Sequence, residues 1–170
     1  MAGVTVKGLN DALQRLDINK YEKQVQFSLN AFAEDVTIDA KKFAPVDEGH
    51  LRQSINNTKG KLSITIDVNA DYAAYMEFGT RKFAAIYVAS LPPDWQAFAS
   101  QYKGGGGGSF NELVERITAW IERTKYLPKE AAYAVALKIL REGIKSHPFL
   151  YPAFEKNRQQ LINDINAIEL

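Results

Sequence analysis

Apolar residues recur at spacings of three and four from about Lys20 to Phe43, where Tyr21, Val25, Leu29, Phe32, Val36, Ala40 and Phe43 form one stripe. That period predicts a long amphipathic helix. Asn19 can cap its start, and Pro45 ends it because the residue before a proline resists helical geometry. Leu9, Leu13 and Leu16 suggest a shorter helical turn ahead of it. The period then changes. Leu62, Ile64, Ile66 and Val68 alternate with Ser63, Thr65 and Asp67, the signature of a half-buried strand. With Leu51–Asn57 as the preceding arm and Thr58 to Lys61 as the connection, the pattern predicts a hairpin. Tyr72–Phe78 reads as one or two helical turns stopped by Gly79.

From Phe83 to about Lys145 the character shifts again. Leu91-Pro92-Pro93 breaks regular structure, and Trp95, Phe98 and Tyr102 follow as an aromatic loop or a short helix. Gly104 to Gly108 are five consecutive glycines, expected to form a flexible loop because no side chain limits the backbone there. Ser109 and Glu112 have the spacing of a capping box ahead of a helix whose apolar face is Leu113, Ile117, Trp120 and Ile121. Pro128 suits the first position of another helix, with Ala131, Val135, Ile139 and Leu140 on its buried side and Gly143 at its stop. His147-Pro148-Phe149-Leu150-Tyr151-Pro152 is stiff and apolar, and Pro152 can open a last helix lined by Phe154, Leu161, Ile165 and Ile168.

Composition removes several kinds of chemistry. Cysteine is absent, which excludes disulfides, thiolate metal sites and cysteine nucleophiles. Lys plus Arg number 21 against 20 Asp plus Glu, a net charge of +1, so nothing marks the whole chain as a nucleic-acid binder. The 170 residues suffice for one domain with a real core. No signal peptide is evident at Met1–Gly8, and no apolar run is long enough for a bilayer.

Candidate catalytic groups are few. His50 and His147 are the two histidines, far apart and without ligand spacing. Asp47, Glu48 and His50 could form an acid/base cluster, giving a small-hydrolase reading, although a solvated turn explains them more simply. Glu77 sits among aromatics and is expected to pair with Arg81 or another nearby cation. The glycine run lacks the Lys-Ser/Thr of a phosphate-binding loop, and neither Ser54 nor Ser63 has the setting of a nucleophile. Arg52, Lys59, Lys61, Arg81 and Lys82 could gather on one basic surface, so a nucleic-acid-binding module is the alternative reading, diluted by Asp67, Asp71 and Glu77.

Three segments carry a more specific signal. They are Ala44-Pro45-Val46-Asp47-Glu48-Gly49-His50-Leu51-Arg52-Gln53-Ser54-Ile55, Tyr72-Ala73-Ala74-Tyr75-Met76-Glu77-Phe78-Gly79-Thr80, and Pro148-Phe149-Leu150-Tyr151-Pro152-Ala153-Phe154. Together and in this order they resemble the head–tail joining, or tail completion, family of long-tailed double-stranded DNA bacteriophages. The resemblance covers roughly 20–83 and 145–168. Glu48 and His50 depart from the small or polar residues usual in the first motif, and the 84–145 insertion is long.

The patterns predict an α+β fold: a long N-terminal helix and a C-terminal helix packed on a small antiparallel sheet. Residues 1–170 are expected to form a single domain, with 84–145 as a helical insertion. Structural roles are expected for the motif residues. Pro45 and Gly49 would turn the chain, Leu51 would enter the core, and Tyr72, Tyr75, Glu77, Phe78 and Gly79 would fix the middle segment. Pro148, Phe149, Leu150 and Pro152 would tether the last helix. The resemblance implies a non-enzymatic virion protein of the neck or upper tail, without cofactors, made in the host cytoplasm. It would form a homo-oligomeric ring between a head-side connector and a tail-terminator or tail-tube ring, away from any membrane. Arg81 and Lys82 would face an assembly surface or the DNA channel.

Overall fold

The computed structural model describes residues 18–102 and 109–168, and the fold is α+β. The helical turn expected around Leu9–Leu16 and the loop expected at Gly104–Gly108 lie outside the described residues. The described residues form two compact units, one of 18–70 together with 149–168, the other within Asp71–Pro148.

The first unit is organised by helix α1, Ile18–Phe43, 26 residues long. Phe32, Val36 and Ala40 of the expected stripe are buried on its inner side together with Ala33, whereas Phe43, the last residue of the stripe, is 42% exposed. Ala44 still donates its N–H to the Ala40 carbonyl at 2.9 Å before Pro45 ends the helix. Gly49 then takes a left-handed φ of 84° and leads into a single-turn helix, α2, His50–Ser54. Strands β1 (Ile55–Gly60) and β2 (Ser63–Val68) pair antiparallel, from Ile55 opposite Val68 to Gly60 opposite Ser63.

The expected hairpin is present with its first arm displaced. Leu51–Ser54 is helical, β1 begins at Ile55, and the connection narrows to Lys61-Leu62, with Leu62 at φ 53°. The helix forms because Gly49 opens a turn that Gln53 closes by donating to the Gly49 carbonyl at 2.9 Å. Ile64, Ile66 and Val68 stand opposite Lys59, Asn57 and Ile55, so all six side chains share one face of the ribbon. That face meets α1: Asn57 donates to Thr37 Oγ1 at 3.0 Å, and Lys59 meets Glu34 at 2.6 Å.

The last helix of this unit, Leu150–Asn166 (α8 once the second unit's helices are counted), runs against α1. It starts two residues before Pro152, which sits where a missing N–H costs nothing. Phe32 and Phe154 meet edge to face, centroids 5.5 Å apart. Beside them lies a polar node. Asp39 is 5% exposed and accepts from Lys156 Nζ at 2.8 Å, Asn157 Nδ2 at 3.0 Å and Lys42 Nζ at 3.4 Å. These donors, Lys156 first and Asn157 next, lower its carboxyl from 3.8 to about 2.

The second unit is helical: α3 (Ala73–Phe78), α4 (Arg81–Ala89), α5 (Pro93–Ser100), α6 (Phe110–Thr124), a 3-10 turn at Lys129–Ala131 and α7 (Ala132–Glu142). The capping box forms as its spacing indicates: Glu112 N–H donates to Ser109 Oγ, and Ser109 N–H to Glu112 Oε2, each at 3.2 Å. Ile117 and Ile121 of α6 are buried against Ala132 and Ala136 of α7. Pro128 precedes the 3-10 turn rather than opening α7 itself. Leu140 is 39% exposed, so small alanines take the buried positions where the larger side chain was expected.

Candidate assembly surfaces

The first motif makes a corner. Leu51 and Ile55 are buried at its base, while Val46, Asp47, Glu48 and His50 stand in solvent around the Gly49 turn. His50 Nε2 lies 3.3 Å from Glu48 Oε2, with side chains 70% and 48% exposed. A proton-transfer pair gains its advantage from a shaped, partly desolvated setting, which this open turn does not provide. Among the described residues, no group of three or more His, Asp or Glu is placed to hold a metal ion.

The second motif builds the entrance of the helical unit. Ala73, Glu77, Phe78 and Gly79 are buried, Tyr75 is half-buried, and Tyr72 lies largely outside at 44% exposed, so it is not an anchor. Phe78 packs with Phe98 and Tyr102, each centroid 6.1 Å away, and Trp95 extends the cluster through Phe98 at 5.9 Å. Trp95 and Phe98 lie on a helix, settling the alternatives left by the Pro92-Pro93 break.

Gly79 adopts φ 75°, ψ −167°, a region that is essentially glycine's alone. A Cβ there would stand 2.8 Å from both the Ile144 carbonyl oxygen and the Ser146 nitrogen. This close approach is a backbone clasp. Thr80 N–H donates to the Ile144 carbonyl at 2.9 Å, Ile144 N–H to Thr80 Oγ1 at 2.7 Å, and His147 N–H to the Met76 carbonyl at 2.7 Å. Gly143, at φ 91°, completes it, since a Cβ would run into the Thr80 carbonyl oxygen.

Arg81 and Lys82 are in the first turn of α4, with Arg81 at φ 52°. Lys82 pairs with Glu142 at 3.1 Å, and that hydrogen bond keeps the Glu142 carboxyl below its ordinary range. Lys59 and Lys61 are likewise engaged, with Glu34 at 2.6 Å and Glu22 at 3.3 Å. Three of the five cations named as a possible basic surface thus already face carboxylates within their own unit.

The third motif is divided between the units. Pro148 is half-buried at the end of the second; Phe149, 1% exposed, starts the first unit's closing helix, with Ala153 buried and Leu150 and Pro152 half-buried behind it.

Apolar side chains also remain outside. Ile18, Phe27 and Val46 are exposed on the first unit, and Ile86, Tyr126, Tyr133, Leu137 and Leu140 on the second. Leu140 stands outside where burial was expected, and Tyr133 and Leu137 join it there. Their spacing of four and three was the available signal.

Residues 7–79 match a family model described as "Bacteriophage HK97-gp10, putative tail-component". This segment is similar to that family. The HK97-gp10-like segment includes α1, α2, the hairpin and α3, and ends at Gly79 of the clasp. It therefore takes in the first motif and most of the second, while the third lies beyond it. No curated protein and no solved structure matches the chain.

Proposed function

We propose that this protein is a structural component of the phage neck or upper tail, completing the tail and joining it to the DNA-filled head. The observation that carries the reading is the HK97-gp10-like match over 7–79, which points to a tail component. The finer assignment rests on the ordered resemblance of the three motifs. Their residues serve shape: a corner at Pro45–Gly49, a clasp at Gly79, a helix tethered by Phe149. Exposed apolar side chains on both units suit a molecule that assembles. In this reading several copies form a ring by heterologous contacts, one side toward the head connector and the other toward the tail ring, within the virion after assembly in the host cytoplasm. Residues 84–145 decorate that common core, and Arg81 with Lys82 line an assembly surface or the DNA channel.

Electron microscopy of lysates from the parent phage lacking this gene tests the role. Full heads beside unattached or malformed tails are expected. Intact, infectious particles would overturn it.

A further inference from the structure

Helix α7 is apolar on two sides. Its inner side, with Ala132 and Ala136 buried and Val135 and Ile139 partly buried, packs on α6. Tyr133, Leu137 and Leu140, spaced four and three apart, form a second stripe, exposed by 58%, 39% and 39%. Tyr133 extends it to Phe110 by an edge-to-face contact at 5.3 Å. A surface helix normally has a polar outer face, so a double-sided one belongs against something.

Charge along the stripe indicates what. Glu130 lies at its N-terminal end and Arg141 at its C-terminal end, both exposed. A second α7 laid antiparallel about Leu137 brings Arg141 of each copy to Tyr133 of the other, with Glu130 within reach beyond it. Apolar centre and opposite charges are then satisfied at once, and the guanidinium can rest on the tyrosine ring. A two-fold contact needs this self-complementarity, because each surface must fit its own copy.

We infer that the free chain pairs with a second copy of itself through the outer face of α7, two-fold and antiparallel, with Leu137 at the axis. The contact is small, so the dimer belongs to the weak class, dissociating at about micromolar concentrations. It concerns the chain in solution and does not rest on the neck reading, whose test is made on particles.

The native absence of cysteine provides a direct probe. Leu137→Cys in the full chain should form a disulfide dimer under mild oxidation in far higher yield than Phe27→Cys, exposed on the other unit. By sedimentation equilibrium the wild type should shift from monomer to dimer across the micromolar range. Glu130→Arg and Arg141→Glu should each weaken association about tenfold or more, and the two together should restore it. A chain monomeric at all concentrations would assign the stripe to a different partner and overturn the proposal. Equal cross-linking at residues 27 and 137, or no restoration by the double charge swap, would do the same.

Discussion

Asp39 holds α8 to α1 through a carboxylate that three side chains engage, and replacing it by asparagine keeps the shape while removing the charge. Lowering its carboxyl from 3.8 to about 2 corresponds to about 2.4 kcal/mol, at 1.36 kcal/mol per pH unit. Lys156 and Lys42 are 57% and 65% exposed, so water screens part of this, and about 1–1.5 kcal/mol is expected from the node. The sign follows from the depressed value. The contribution is complete above pH 3.8 and disappears as pH falls through about 2, because the unfolded chain takes up the proton first. Hydrogen exchange of α1 and α8 amides reads the opening of this unit. Both tryptophans, Trp95 and Trp120, are in the other unit, so their fluorescence serves as an internal control that should not change. Asp39→Asn should lower protection in α1 and α8 by about 1–1.5 kcal/mol at pH 7, and that gap from wild type should close toward pH 2. The lowered Glu34, Glu122 and Glu142 are common to both proteins and cancel in the comparison. A gap that is absent at neutral pH, or independent of pH, would refute the electrostatic account.

Other substitutions probe different contacts. Gly143→Ala should destabilise the helical unit by about 2–3 kcal/mol in denaturant titrations followed by tryptophan fluorescence, through a strained φ and a clash with the Thr80 backbone. Gly60→Ala should cost under about 1 kcal/mol, since the one close approach of its new Cβ is to the Ser63 hydroxyl, at 2.5 Å, which can rotate away, and the Ser63 backbone oxygen and Cβ lie at ordinary contact distance. Phe149→Ala removes a ring 1% exposed and should lower protection in α1 and α8 by about 3–5 kcal/mol. Ser109→Ala, which breaks the capping box, should cost α6 about 1 kcal/mol in the same fluorescence titration.

Elements with one strong period were legible from residues alone. Stripes of three and four gave α1 and α6, and strict alternation gave β2, because burial on one side imposes those patterns. The start of β1 was not legible, since Leu51 and Ile55 are both buried whether the chain between them is strand or helix. What decides is the left-handed Gly49, which a sequence permits without requiring. Helix α4 was missed because its start at Arg81 carries a positive φ that few side chains favour and has no side-chain cap. For the surfaces, the charges of Lys59, Lys61 and Lys82 were plain, but their partners are distant in sequence: Glu34, Glu22 and Glu142. Only folding shows that these three lysines face carboxylates of their own units.

The clasp between Thr80 and Ile144 bears on how such a chain can change. The chain from Arg81 to Gly143 leaves and returns at one backbone bracket, so its two ends are held close together. Flexible residues added between such ends cost only about 0.6 kcal/mol per doubling of loop length. Lineages could lengthen, trim or exchange this segment and leave Gly79 and Gly143 in place. The two glycines then act as a splice point, where new surface can be tried without renegotiating the fold that carries it.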